Sequence, residues 1–569
     1  MRRTLSALIA CIILIAVFTT ACSNNSNNVK DNEPKPEQAA GNTPTEPAAA
    51  ETSDAVAPAG EFPIVKEKIT LKVMAPENAG VENYATNLFT KELEEKTNIH
   101  LEWIMVPEKN VVEKLNLMLV SGDYPDILLG MGVNKTQEVV YGGQGAFLPM
   151  NDLIEKYSVE TKKLMETLPL FKETITAPDG NIYSLPKVNQ CFHCTMSQKM
   201  WLYEPWLTKL GLSMPTTTEE FYTVLKAFKE KDPNGNSKAD EIPFMTSVTG
   251  WNSALDDFLM NAFIYNSKDP NAPGLLMRDG KVTAAYDKPE WKEGLQYLRR
   301  LFQEGLIAPE SFTQDKNQLL AVGNNPDAVL LGSSPGGFQG EFLQLGDVND
   351  KRWLGYKAVP ALKGPAGVQL SAYSPMEYYT GQFVIMKGNK YPEASFRLAD
   401  MFYDWDITMR LSRGVEGKNW KKAESGDMGI DGNPAKWAPI PNTDEKIQND
   451  YWNELGPINL SNEFRLSQKN NGPEDLEVLL YQATNDSYAP YKPDVSILVP
   501  PLVFNEEQSA EIAGLQKTID DYRKEMLARF VTGDADLDKD WDRYVSTLKD
   551  MSLERYLSIY QEAYDKTKH

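Results

Sequence analysis

The chain has 569 residues, 41% of them hydrophobic, and a formal net charge of −22. This length is too great for one ordinary hydrophobic core and is sufficient for two lobes. The acidic charge and the lack of a basic stripe with interleaved aromatic residues exclude a nucleic-acid-binding protein, because a phosphate-binding face needs clustered Lys and Arg.

Residues 1–22 have the features of a secretory signal peptide that ends in a lipidation site. Two arginines precede the apolar run 5–18, which is short for a membrane span, and small residues then lead to Cys22. Small residues directly before a cysteine are typical of a bacterial lipobox, although Thr19 stands where that motif usually has Leu. We predict that Cys22 carries a lipid; the alternative is ordinary signal cleavage near Ala21.

The next segment, residues 23–60, is rich in Asn, Pro, Glu, Ala and Ser and has almost no large apolar side chain. It cannot bury enough surface to offset the entropy that ordering would cost. We therefore predict a disordered tether over residues 23–61. A lipid at the start of this tether and a folded body after it predict a protein anchored to the cell membrane and facing outside.

Strand and helix patterns alternate from about Phe62 onward, and this alternation predicts an α/β layer with a mostly parallel sheet. The predicted elements are a strand over 69–76, a helix over 84–97, a strand over 99–107, and a helix, a turn and a buried strand over 111–130. Ligands of such sheets lie beyond the carboxyl ends of the strands. Glu77, Asn78 and Met131 stand at those ends and are therefore candidate ligand-binding residues.

Several segments, taken in order, resemble one known family. They are SGDYPDILL (121–129), APDGNIYSLP (177–186), the long stretch 206–243, YLRRLFQEGLIAPESFTQD (297–315), VPALKGPAG (359–367), GVEGKNW (414–420) and WDRYVSTLKDM (541–551). Together they resemble the extracellular solute-binding proteins of family 1 that serve ABC importers, and especially the large lipoproteins associated with oligosaccharide uptake. The resemblance runs through nearly the whole mature chain, and the stretch 206–243 is its most specific part.

The resemblance implies a two-lobed, periplasmic-binding-protein-like α/β fold that the chain crosses more than once. We expect lobe 1 to comprise 62–186 and a return segment 370–425, and lobe 2 to comprise 187–369 and a helical part 426–569. The implied function is capture of an oligosaccharide between the lobes by a monomer, which delivers it to the permease subunits in the membrane.

The stretch DPNGNSKADEIP (232–243) places oxygen-bearing side chains at alternate positions, a pattern suited to Ca²⁺, which takes six to eight oxygen ligands. The predicted calcium ligands are Asp232, Asn234, Asn236, the carbonyl of Lys238, Asp240 and Glu241. The loop is not an EF-hand, because its carboxylate comes at the tenth position rather than the twelfth and Ser237 replaces the central glycine. In related carbohydrate-binding proteins this loop resembles a structural calcium site; the alternative is a solvated turn.

A second run of alternating acids, GDADLDKDWD (533–542), is followed directly by an amphipathic pattern. Five carboxylates would overload one ion, and no Gly or Asn assists a turn among them. Acidic residues at a helix start are favoured by the helix dipole. We predict a helix N-terminus here rather than a metal site.

Cys191 and Cys194 flank Phe192 and His193 in the short motif CFHC. Outside the cell, two cysteines this close are expected to be oxidised. A zinc site would need further ligands, and a redox motif would need a thioredoxin-like context. We predict a structural disulfide that stiffens a crossover between the lobes.

Sugars present flat apolar faces edged by hydroxyl groups, so their sites combine aromatic rings with polar side chains. Trp251 follows a buried strand, and Trp420 closes a glycine-bounded loop; we expect these two rings to flank the ligand from opposite lobes. The complete set of predicted ligand-binding residues is Glu77, Asn78, Met131, Trp251, Asn252, Tyr373, Glu416 and Trp420. For either Trp, packing in the core or on a lobe surface is the alternative.

No catalytic motif stands out. The three histidines, His100, His193 and His569, suggest no triad, and neither a nucleophile elbow, a His-Glu-x-x-His motif nor a phosphate loop occurs. We therefore expect a binding protein rather than an enzyme. Two alternatives remain, namely an ABC receptor for a peptide or another non-sugar solute, and a secreted carbohydrate-active enzyme.

Overall fold

The computed structural model describes residues 56–267, 269, 272–345, 350–375, 377–440 and 447–567. The predicted signal peptide, Cys22 and most of the predicted tether lie outside this part of the chain. None of the helices within it is both long and apolar enough to cross a membrane.

Thirteen strands occur in the described residues. They are β1 Ile69–Pro76, β2 Ile99–Val106, β3 Ile127–Leu129, β4 Leu185–Asn189, β5 Met200–Tyr203, β6 Leu275–Arg278, β7 Lys281–Ala284, β8 Ser333–Pro335, β9 Tyr356–Val359, β10 Tyr378–Ile385, β11 Trp420–Lys422, β12 Trp437–Pro439 and β13 Asn459–Leu460.

Seventeen α-helices occur in the same residues. They are α1 Leu88–Thr97, α2 Val111–Ser121, α3 Lys135–Gly143, α4 Asn151–Tyr157, α5 Glu160–Thr167, α6 Phe171–Ile175, α7 Glu204–Leu210, α8 Thr218–Glu230, α9 Pro289–Gln303, α10 Lys316–Gly323, α11 Pro392–Asp400, α12 Trp405–Arg413, α13 Asn462–Leu466, α14 Leu476–Ser487, α15 Glu506–Thr532, α16 Leu537–Asp550 and α17 Leu553–Lys566.

Lobe 1 is built on a six-stranded sheet in the order β13-β4-β10-β3-β1-β2. Only β10 runs antiparallel to its neighbours; Ile69 of β1, for example, pairs in parallel with Ile99 of β2. Buried apolar side chains from this sheet and its helices, among them Leu71 and Phe383, form one core. The α/β class and the mostly parallel sheet that the sequence predicted are confirmed.

The first predicted helix begins four residues later than the sequence pattern suggested. Asn87 lies just before α1, and its side-chain oxygen accepts a hydrogen bond from the Phe89 N–H at 3.0 Å. An Asn in that position satisfies a backbone donor that the helix itself leaves free. The cap, rather than the hydrophobic pattern, therefore determines where α1 starts.

Lobe 2 has a separate core around the antiparallel sheet β8-β5-β9 and the long helices α8, α9 and α15–α17. Trp291 and Leu298 of α9 pack there with Tyr544 of α16. Asp536 caps α16, accepting from the N–H groups of Asp538 and Lys539. The helix N-terminus predicted in the second acidic run is thus confirmed.

The chain passes between the two cores three times: after β4, before β10, and between α13 and α14. The two-lobed architecture with several crossovers is confirmed. One predicted boundary is wrong, however, because lobe 1 does not end at residue 425. β13 pairs with β4, and Trp452 and Phe464 lie in the lobe 1 core, so the third crossing comes only after α13.

The predicted end of the tether is also wrong. The Arg397 guanidinium, in α11 of lobe 1, donates to the backbone carbonyls of Ala57, Pro58 and Glu61. A buried cation gains by gathering such acceptors. The residues from 56 onward therefore pack on lobe 1, which the polar composition of this segment did not indicate.

Candidate functional site

Trp251 lies on a loop of lobe 2 with 41% of its surface exposed. One face of its ring lies against the backbone of Gly337, where any Cβ atom would overlap the ring. The Gly337 N–H donates to the Trp251 carbonyl at 2.9 Å, and Phe338 packs beside it with ring centroids 6.4 Å apart. The indole is therefore a flat surface with a packed back and an open front.

The Trp251 loop is fixed at two further points. The carboxylate of Glu341, only 3% exposed, accepts from the Trp251 N–H at 2.9 Å and pairs with Lys316 Nζ at 3.1 Å. Asn252, in a left-handed conformation with φ 56°, donates from its amide to Ser197 Oγ at 2.8 Å. Because Ser197 belongs to the first crossover, the ring is held next to the junction of the lobes.

Trp420 lies in a different setting, at the edge of a cavity of about 200 Å³. Its indole N–H donates to the Gly414 carbonyl at 3.1 Å. The residues that line this cavity are Arg413, Asn419, Trp420, Trp437, Pro439, Arg465, Gln468 and Glu477. Glu477 comes from α14 of lobe 2 and the others from lobe 1, so the cavity lies between the lobes.

Charged groups surround this cavity. Glu454 accepts from Arg413 at 2.7 Å and lies 3.8 Å from Lys187 Nζ. Burial raises the pKa of Glu454, but Arg413 and Lys187 outweigh that effect and hold it below its usual value. Burial lowers the pKa of Lys187. Arg465 donates twice to Asn189 Oδ1, at 2.6 and 3.1 Å.

His193 and Glu477 connect the cavity to the first crossover. Nδ1 of His193 lies 3.7 Å from the Glu477 carboxylate. Burial lowers the pKa of His193 to about 3, with further lowering by Lys199 and Arg465. Burial raises the pKa of Glu477. Desolvation thus favours the neutral forms of both groups.

A larger groove of about 600 Å³ lies at the carboxyl ends of β1 and β2. Its lining residues are Glu77, Asn78, Ala79, Val81, Glu82, Asn83, Tyr84, Ala85, Trp103, Met105 and Glu108. The Trp103 indole N–H is buried and finds no acceptor among the described residues. Asn78 Oδ1 accepts from the Asn453 amide at 3.2 Å, which joins this groove to the loop that carries Glu454.

The predicted ligand-binding residues are thus divided among three surfaces. Glu77 and Asn78 line the groove, Trp251 and Asn252 form the platform in lobe 2, and Trp420 borders the charged cavity. These surfaces are connected through the first crossover and the loop 453–454.

Three predicted residues lie elsewhere. Met131 is only 3% exposed and packs in the apolar core of lobe 1, so its side chain is not available to a ligand. Glu416 is exposed but does not line the cavity. Tyr373 is half-buried beside the second crossover, with Lys492 Nζ 3.8 Å from the centre of its ring.

Sequence reasoning missed the charged residues of the cavity. Arg413 ends α12, Arg465 lies in the short α13, and Lys187 lies in a strand, more than two hundred residues before the others. No local spacing links them. Only the position of Arg413 directly before the predicted loop 414–420 offered a signal.

The predicted calcium loop holds its polar side chains close together. The amides of Asn234 and Asn236 donate to Asp240 at 2.8 and 2.9 Å, and Asp232 accepts from the N–H groups of Gly235 and Ser237. Ser237 has φ 63°, so it takes the left-handed conformation that a glycine usually supplies.

Three carboxylates come near one another in this loop. Burial raises the pKa of Glu241, and the charges of Asp232 and Asp240 raise it further. Such crowding of acidic oxygens is relieved by a hard cation, and the donor set of carboxylates, amide and carbonyl oxygens is the one that Ca²⁺ uses. The residues present therefore fit a calcium ion.

The side chains of Cys191, His193 and Cys194 form a second compact group, at the start of the 3₁₀ turn 192–196. The sulfur atoms of the two cysteines are joined, and their Cα atoms lie 5.1 Å apart. His193 Nε2 lies 3.5 Å from Cys191 Sγ. Joined sulfurs offer no thiolate, the form in which cysteine binds a metal.

Comparison with known proteins gives a consistent picture. The family model described as bacterial extracellular solute-binding protein matches residues 76–405. The fructooligosaccharide ABC transporter substrate-binding protein FusA of Streptococcus pneumoniae is 29% identical over 513 residues, which are 89% of this chain and 91% of FusA.

Solved structures agree. FusA in complex with kestose superposes with a TM-score of 0.70 at 27% identity, covering 88% of this chain and 99% of FusA; an EF-hand mutant of FusA, in complex with fructo-nystose, gives the same values. An extracellular solute-binding protein from Bifidobacterium longum subsp. infantis has a TM-score of 0.75 at 23% identity, covering 88% and 98%, and so shares the fold.

Proposed function

Because this chain belongs to the bacterial extracellular solute-binding proteins, we propose that it is the substrate-binding lipoprotein of an ABC importer for an oligosaccharide. It captures the sugar between its lobes and delivers it to the permease subunits. The similarity to FusA, a fructooligosaccharide-binding protein, supports this function.

The observation that carries the proposal is the Trp251 platform. Its ring is open on one face and rests on glycine backbone on the other, beside the first crossover. A preformed flat aromatic surface suits the apolar face of a sugar ring and costs little ordering on binding. Asn252, next to the ring, and Glu77 and Asn78, in the groove of lobe 1, offer polar groups for sugar hydroxyls.

Saturable binding without turnover is the expected behaviour. Thermal-shift screening of neutral and acidic oligosaccharides against a peptide panel should give stabilisation by a sugar, of about 2.7 kcal/mol at a hundred times its dissociation constant. Stabilisation by peptides alone would instead favour a non-sugar receptor. Cleavage of a bound sugar would identify a carbohydrate-active enzyme.

Trp251 and Trp420 are the residues with which to test the cleft. Each ring should contribute about 1–3 kcal/mol of binding, the scale of one buried large side chain. Calorimetric titration of Trp251→Ala and Trp420→Ala with the best ligand from the screen measures this. Two folded variants that bind like the parent would contradict the assignment.

Glu416 and Tyr373 are proposed to contact the ligand only after the lobes close, since closure brings the inner faces of both lobes to the ligand.

We further propose that loop 232–241 holds a structural calcium ion, bound by Asp232, Asn234, Asn236, the Lys238 carbonyl, Asp240 and Glu241. The oxygen-only donor set supports this, and so does the existence of an EF-hand mutant of the related FusA. A chelator should lower the melting temperature, and Ca²⁺ should restore it better than Mg²⁺. Asp240→Ala should abolish the response, whereas Asp538→Ala, in the other acidic run, should not.

The membrane anchor is proposed from the sequence before the tether. Residues 1–22 act as a lipoprotein signal, and the lipid on Cys22 retains a monomeric receptor near its permease. Cys22→Ala should release the protein or leave its precursor unprocessed. Unchanged membrane partitioning of that variant would refute the anchor.

Cys191 and Cys194 are proposed to form a structural disulfide in the secreted protein, stiffening the first crossover. A soluble form that lacks residues 1–22 should titrate no free thiol when denatured. The double variant Cys191→Ser and Cys194→Ser should then melt at a lower temperature, because the unfolded chain loses a constraint.

A further inference from the structure

The cavity beside Trp420 carries an excess of positive charge, although the whole chain has a formal net charge of −22. Three cations, Lys187, Arg413 and Arg465, lie around two carboxylates, Glu454 and Glu477. Glu454 is shared by two of those cations, at 2.7 and 3.8 Å. The local charge is therefore opposite in sign to that of the molecule.

Arg465 is the one of these three cations that makes no direct ion pair with a residue that the structure describes. Its two hydrogen bonds both end on Asn189 Oδ1, a neutral acceptor. Among the residues that the structure describes, no carboxylate lies at ion-pair distance from its guanidinium. Burial lowers the pKa of Arg465, and the charges of Glu454 and Glu477 oppose that effect from farther away. Arg465 lines the cavity and is partly buried. A guanidinium withdrawn from water is stabilised most by a carboxylate that accepts two of its hydrogen bonds.

We infer that the sugar unit bound in this cavity carries a carboxylate, so that the ligand is a uronate-containing oligosaccharide. This inference rests on the proposed oligosaccharide-binding function and specifies its substrate class. The carboxylate lies against Arg465, while Trp420 and Trp437 border the sugar ring. A neutral hydroxyl could accept one hydrogen bond there, but it would not supply the two charge-assisted hydrogen bonds that a carboxylate gives to a guanidinium.

Among the described residues that line the cavity, Glu477 is the one that opposes an anion. Burial raises its pKa, which favours the protonated form and weakens the repulsion. Nδ1 of His193 lies 3.7 Å away, and the Arg413 guanidinium, which also lines the cavity, adds positive charge. The sum of the facing groups still favours an anion.

The test is calorimetric titration with matched ligands that differ only in charge. Trimers of galacturonate, mannuronate and glucuronate are compared with their methyl esters, and neutral fructo- and gluco-oligosaccharides complete the set. At least one acid should bind ten times or more tightly than its ester, which is about 1.4 kcal/mol. The preference should weaken as salt concentration rises.

Variants assign the preference to Arg465. Arg465→Gln should abolish the difference between acid and ester. Glu477→Gln should preserve or enlarge it, because it removes the negative charge that Glu477 retains. Arg410→Gln is the control, because Arg410 is an arginine on α12 that pairs with Glu92 and does not line the cavity. It should bind the acid as the parent does.

The outcomes separate the two levels of the proposal. If neutral oligosaccharides bind and no uronate does, or if acid and ester bind equally, the uronate inference is wrong while the oligosaccharide receptor stands. If no oligosaccharide of either kind binds, both are wrong. Should Arg465→Gln fail to fold, the response of Glu477→Gln and the acid–ester comparison on the parent still decide the question.

Discussion

Trp251 and Trp420 are held in place by opposite means. Trp251 rests on glycine backbone and is fixed by neutral hydrogen bonds and one buried carboxylate, Glu341. Trp420 borders a cavity lined by three charged residues, Arg413, Arg465 and Glu477, and Arg413 is in turn paired with Glu454. The Trp251 surface depends on a glycine that has no side chain, whereas the Trp420 surface depends on charged side chains.

The difference indicates a division of roles between the lobes. A flat apolar surface such as Trp251 binds many sugar rings with little discrimination, because every ring has an apolar face. Fixed charges discriminate strongly, because a wrong partner leaves one of them unpaired. Lobe 2 should therefore supply general affinity, and lobe 1 should supply selectivity.

The largest expected effect is a loss of stability in lobe 1, where two cations share the carboxylate of Glu454. Glu454→Gln removes the partner of both Arg413 and Lys187 and should lower the free energy of unfolding by about 3–5 kcal/mol. Denaturant titration measures this. Glu424→Gln, which breaks the exposed pair with Lys421, serves as the control and should change stability little. Equal midpoints for the two variants would show that the cavity charges do not depend on Glu454.

The second effect concerns pH. The folded state lowers the pKa of His193 to about 3, so between that value and about 6.5 it binds fewer protons than the unfolded state. Stability from this group is therefore present above pH 6.5 and is lost as pH falls, by about 2 kcal/mol between pH 7 and pH 5. His193→Gln should lose that much less over the same range. A slope in His193→Gln identical to that of the parent would contradict burial of His193.

The smallest effect tests the platform of lobe 2. Gly337→Ala places a methyl group against the back of the Trp251 ring and should weaken binding of the best oligosaccharide about fivefold, or about 1 kcal/mol. Gly514→Ala adds the same group where nothing lies within 4 Å and should leave binding unchanged. Parent-like affinity and Trp fluorescence in Gly337→Ala would mean that the ring is not fixed by that contact.

Local patterns were sufficient for the parts of the fold that depend on neighbours in sequence. The strands 69–76 and 99–107 and the cap at Asp536 follow from alternation and from side chains next to a helix start. The placement of Glu77 and Asn78 in a groove also follows. The end of a strand can be recognised from nearby sequence, and ligands of parallel sheets generally lie beyond the carboxyl ends of the strands.

Pairing between segments far apart in the sequence could not be predicted from local patterns. β13 has only two residues, and nothing in its own sequence indicates that it joins β4, so the lobe boundary was set too early. Met131 follows a strand end as Asn78 does, yet its side chain turns into the core. Lys187, Arg413 and Arg465 meet only because three separate segments fold together, and a single sequence carries no sign of that meeting.

The order of strands in lobe 1 also determines when that lobe can be completed. β4 is flanked by β10 and β13, which come from residues 378–385 and 459–460, after nearly all of the first part of lobe 2. Contacts across such long separations form slowly, and unpaired edges stay available to other chains meanwhile. A chain that folds from its N-terminus onward therefore completes its first lobe late. Assembly errors should then concentrate at the exposed edges of β3 and β4, which wait for their common neighbour β10.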